Sequence, residues 1–182
     1  MSMRLACVLV SACMAVTAHA RAADAGDDSA AHGWRGTVVP PFPSGVRELS
    51  GTCIGEGTSG EAICAIAVSV LRDEQSELRT ILATRRLHHP DGTAVGGDRP
   101  LSLVTDALEP AALDDEGNEV AVGLCQRDGR DDPRIIAIVR PVAEQEWFTV
   151  LQGTWRLEDD GRFAGIPAAG VRCRNEGFGY DG

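Results

Sequence analysis

Four cysteines, Cys53, Cys64, Cys125 and Cys173, carry the most readable chemistry in the chain. None is part of a C-x-x-C pair, so they make a poor zinc site, whereas an even number suits disulfides in an oxidising compartment. Several connectivities are open to them. Spacing favours Cys53–Cys64, which flank a Gly-rich loop, and Cys125–Cys173, which would tie the C-terminal segment to a mid-chain strand. In the chain-entropy description these closures stabilise by about 3 and about 4 kcal/mol, the longer loop giving more.

Other residue groups invite sharper chemistry. Arg85, Arg86, His88 and His89 form the densest basic cluster of an acidic chain, a candidate patch for an anion or a partner. Joined by Asp91 and Asp98, the same histidines would supply His/carboxylate chemistry for an exported hydrolase, the alternative reading of function. As metal ligands they are badly placed, because neighbours on a strand point to opposite faces. Gly55-Glu56-Gly57-Thr58-Ser59-Gly60 matches G-x-G-x-x-G. That fingerprint requires a buried strand before it and alternating strands and helices after it, and here the segment Arg47 to Ile54 is only weakly apolar. A loop between bridged cysteines explains the glycines more simply. Ser59 lies outside any G-x-S-x-G elbow. Acidic turns recur at residues 114–119, 128–132 and 159–160, but none has the ligand spacing of an EF-hand. No cofactor, metal or catalytic residue is expected.

The disulfide reading depends on export. Residues 1–20 have the parts of a secretory signal: Arg4, an apolar core from Leu5 to Val16, and small residues at Ala18 and Ala20. That core is shorter than the roughly 20 residues of a membrane span. Val10-Ser11-Ala12-Cys13 resembles a lipobox, which makes a lipid anchor on Cys13 the minor alternative to soluble export. Residues 21–33 read as a disordered acidic leader, and residues 34–182 as a single β-rich domain in the periplasm or outside the cell.

The elements that must position these residues follow an all-β rhythm of short apolar runs and turn chemistry. Cys64 to Val70 alternates bulky and small residues, and Thr80 to Leu87 is its expected hairpin partner. A helix over residues 73–87 is the rival, since Leu71, Leu78 and Leu82 also fit helical spacing. Further strands are expected at 101–105, 120–126, 134–140, 147–151, 155–157, from Phe163, and at 170–174. Asp159-Asp160-Gly161 makes a hairpin turn, and Trp147, Trp155 and Phe163 are expected in the core. The fold expected is a single antiparallel β-sandwich or partly open barrel with two disulfides, with a small α+β domain as the alternative.

Charge narrows function. The chain has a formal net charge of −10, and every basic residue except histidine is Arg. Such a surface repels nucleic acid and anionic membranes and attracts cationic proteins. The expectation is a non-catalytic exported binding protein, such as an inhibitor of a basic envelope enzyme. Oligomeric state is not legible in the sequence.

Overall fold

A computed structural model describes residues 33–55, 64–149 and 151–179. The expected export signal, Cys13, all but the last residue of the expected acidic leader, Glu56–Gly60 of the glycine run and Tyr180 lie outside the described residues.

The fold is mainly β. In chain order the strands are β1 (Val38–Val39), β2 (Val46–Ile54), β3 (Ile66–Asp73), β4 (Arg79–Arg86), β5 (Ser102–Leu108), β6 (Glu119–Val122) and β7 (Cys125–Arg127). They continue as β8 (Arg130–Asp131), β9 (Ile135–Val139), β10 (Trp147–Phe148), β11 (Leu151–Leu157), β12 (Phe163–Gly165) and β13 (Val171–Arg174). The first sheet has the order β1-β5-β4-β3-β2, the second β12-β11-β9-β6 and the third β10-β13-β7-β8. All pairings are antiparallel. The architecture includes a strongly curled half-barrel sheet.

Strand β9 explains the layering. Its side chains alternate between two faces, and both faces are dry. Ile136 and Ile138 meet Ile54, Val68, Ile81, Leu113 and Leu157 between the first and second sheets. Ile135, Ala137 and Val139 meet Phe148, Val171, Cys125 and Cys173 between the second and third. The run RIIAIVR therefore reads as nearly continuous apolar sequence because it is a central strand. The far face of the first sheet buries Leu71, Leu82 and Val104 under Trp34 and Phe42 of the N-terminal segment.

Residues 73–86 form a hairpin end and strand, not a helix. Asp73 Oδ1 accepts hydrogen bonds from the Gln75 and Ser76 amides, fixing the turn. Leu71 and Leu82 share the covered face while Leu78 is exposed, so their helical spacing is coincidental. Three segments depart from expectation, one being residues 147–151, which divide between β10 of the third sheet and β11 of the second. The weakly apolar stretch before the glycine run is a full strand, β2, exposed at seven of its nine positions because it is the sheet edge. Residues 120–126 are not one strand. Gly123, at φ +78, lets the chain leave the second sheet as β6 and enter the third as β7.

Both disulfides pair as the spacing favours. Cys53 lies on β2 and Cys64 just before β3, so the bridge closes the loop between neighbouring strands. Cys125 and Cys173 are direct cross-strand partners on β7 and β13. No helix among the described residues is long and apolar enough to cross a membrane.

Candidate functional site: an acidic groove at the start of β4

Arg79 opens β4 and organises the loop beside it. Its amide donates to Asp114 Oδ1 at 3.2 Å, and its guanidinium donates to the carbonyls of Asn118 at 3.0 Å and Asp115 at 3.3 Å. Arg140, just beyond β9, donates to Asn118 Oδ1 at 3.0 Å and to the Glu116 carbonyl at 3.5 Å. Asn118 is the hub. Only 2% exposed, it also donates to the Ala112 carbonyl at 2.7 Å. A buried amide must satisfy its polar atoms, and here doing so fastens the loop from beneath.

That arrangement spends the arginines on backbone carbonyls. The carboxylates of Asp114, Asp115, Glu116 and Glu119 are exposed, and none joins an ion pair among the described residues. Facing the loop across an open groove of about 540 Å³ are the exposed Leu49 and Leu78, with Arg72 and Glu77. Arg72 is neutralised by its ion pair with Glu77. Glu77 itself holds φ +63, a left-handed conformation that is unfavourable for a side chain with a Cβ. A smaller depression of about 90 Å³ continues beyond Leu78, lined by Trp34, Asp73, Thr80 and Glu109 among others. Hydrogen bonds from the Ser76 and then the Gln75 amide hold the Asp73 carboxyl below the usual carboxylate range, which keeps the turn under the groove fixed.

The groove thus offers exposed leucines and a net acidic lining, with the carboxylates of Glu77, Asp114 and Glu116 set against Arg72 and Arg79. It can hold a cation with an apolar flank. It contains no nucleophile paired with a base, since its only side-chain hydroxyl is that of Ser76.

The basic cluster singled out in the sequence lies at the other end of β4, roughly 20 Å away at strand rise. Arg85 donates to the Asp159 carbonyl at 2.7 Å, tying the β11–β12 turn to the first sheet. Arg86 is half-buried, and its amide bonds the Ala65 carbonyl. His88 forms an isolated bridge with Ala94, and His89 donates its amide to the Thr93 carbonyl. Both histidines, Asp91 and Asp98 are exposed on the loop after β4. The Thr93 hydroxyl, then its amide, hold the Asp91 carboxyl below the usual range, as befits a loop tie. Among the described residues no three of His, Cys, Asp and Glu converge as metal ligands.

Comparison with known protein families, with curated proteins and with solved structures finds no match.

Sequence reasoning read the 114–119 loop as turn chemistry and overlooked Leu49, Leu78 and the two arginines beneath. The available signal was two leucines in otherwise polar stretches. The latch through Asn118 had none, because it joins residues that are up to 39 positions apart. Asp106, in the distinctive string VTDAL, resolves as a tie. It is 2% exposed and accepts from Arg35 Nε at 2.6 Å and from the amides of Ala107 at 2.9 Å and Phe163 at 2.8 Å.

Proposed function

We propose that this chain is an exported, non-catalytic binding protein that seats a cationic protein partner in the groove between Leu78 and the 114–119 loop, and so inhibits a basic envelope enzyme. The observation that carries this reading is the internal use of Arg79 and Arg140. They draw on the loop's carbonyls and leave the carboxylates of Asp114 and Glu116, which line the groove beside exposed leucines, without an ion pair among the described residues. A loop backbone fixed in advance loses little freedom on binding, and a net acidic lining steers a cation into place. The net charge of −10 adds long-range attraction. Two disulfides support a periplasmic or extracellular setting.

The test is inhibition of a basic muramidase by the wild-type protein and by the triple variant Asp114→Asn, Asp115→Asn, Glu116→Gln. Wild type should inhibit, and the variant should lose roughly tenfold or more in potency while unfolding at the same temperature. Equal potency of the two proteins would refute the groove as the site.

A further inference from the structure

A second surface carries the opposite chemistry. On the outer face of the third sheet, side chains from all four strands form one connected row. Gln126 on β7 donates through Nε2 to Asp131 on β8 at 2.6 Å. Its Oε1 accepts from Arg172 Nε and Nη2, on β13, at 3.1 and 3.0 Å. The Arg172 guanidinium lies 4.3 Å from the centroid of Trp147 on β10, and that of Arg174 lies 6.0 Å from the same ring. Trp147 was expected in the core. It stands instead on this outer face, opposite Arg174 in register.

Three features separate this row from ordinary surface. First, Arg172 and Arg174 are exposed, form no ion pair among the described residues, and both lie over the ring of Trp147. Second, the row is held in advance: the Cys125–Cys173 bridge lies directly beneath, and Gln126 fixes the Arg172 fork. Third, exposed apolar side chains border its end. Asn175 donates to the carbonyls of Val142 and Gln145 and so lashes the turn carrying Phe178 to the turn carrying Val142, next to the Trp147–Arg174 pair. Tryptophan and arginine with an apolar margin are the composition of protein-interface hot spots.

We infer that this face, independently of the acidic groove, docks an acidic, amphipathic segment of a protein partner, with carboxylates on Arg172 and Arg174 and an aromatic or aliphatic side chain on Phe178 and Val142. Charge complementarity selects the carboxylates. The exposed Glu144, Glu146 and Glu176 in the same two turns repel a continuous anionic surface, which argues against a membrane or a sulfated glycan, whereas a peptide can place its charges singly.

The test measures binding of a random glutamate–tyrosine copolymer to the full protein, with polyglutamate, heparin and phosphatidylglycerol vesicles as separate arms. The copolymer should bind more tightly than the other three. Arg174→Glu should weaken it by roughly tenfold or more with the unfolding temperature unchanged, since the one hydrogen bond shown for Arg174 is from its backbone amide to the Leu124 carbonyl, which the substitution keeps. Phe178→Ala should weaken the copolymer but not polyglutamate. Should Arg174→Glu fold poorly, Arg174→Gln must give the same direction. Preference for heparin or vesicles, or unchanged copolymer binding in either Arg174 variant, would overturn the inference and leave the row a purely structural one.

Discussion

At the scale of single residues, Asp106 is the side chain on which most connections converge. One buried carboxylate joins the N-terminal segment through Arg35, its own strand through Ala107, and β12 through Phe163. Asp106 is buried but the Arg35 side chain is 37% exposed, so Asp106→Ala mainly leaves the Ala107 and Phe163 amides unpaired and should cost about 1–3 kcal/mol in urea unfolding. A loss below about 1 kcal/mol would mean that water replaces the carboxylate at no penalty. Asp73 makes a different prediction. Its folded-state carboxyl is held below the ordinary value by the Ser76 and Gln75 amides, so its contribution is present above the unfolded pKa and lost as pH falls through the folded one. A carboxyl NMR titration should therefore place its midpoint below the ordinary carboxylate value. Asp73→Asn should remove that part of the acid sensitivity of the β3–β4 turn. An ordinary midpoint would contradict the capping geometry.

Among the elements, the β11–β12 hairpin shows how a turn can be both locally and globally specified. Gly161 has φ +83, and a Cβ there would sit 2.6 Å from Thr105 Oγ1, whose hydroxyl already bonds the Gly161 and Ala83 carbonyls. Gly161→Ala should destabilise by about 1–3 kcal/mol, through left-handed strain and displacement of Thr105. Asp159-Asp160-Gly161 was legible as a turn because its residue types state the backbone they need. The same holds for β9, whose apolar run announced a buried strand. What was illegible followed from neighbours. Strand β2 has little apolar content because it is an edge, and Trp147 read as core because an aromatic residue does not reveal which face of a strand it occupies. Strand β13 puts Arg172 and Arg174 on one face, but nothing in the sequence of residues 170–174 indicates that Trp147 lies against them.

For the molecule as a whole, the cysteines were the most informative residues, since spacing, given an oxidising compartment, favoured the pairing found. Each bridge should take up two hydrogens on reduction, readable by mass, and loss of Cys125–Cys173 should cost more than loss of Cys53–Cys64, about 4 against about 3 kcal/mol. The candidate site was less legible than the fold. Its charge was visible in the 114–119 loop, but its position beside Leu49 and Leu78 depends on how β2, β4 and β6 come together. The basic cluster around His88 was conspicuous in sequence because acidic neighbours are few, yet it lies on an exposed loop far from the groove. Binding at the groove and binding at the Arg172–Trp147 row require partners of opposite charge, so mapping where a cationic protein lands separates the two surfaces. The most direct measurement is amide chemical-shift mapping of the isotope-labelled protein titrated with a basic muramidase at low and raised salt. Shifts confined to the surroundings of Leu49, Leu78 and residues 114–117, and abolished by salt, are the predicted result. Shifts centred on residues 85–99, or none at low salt, would contradict the account.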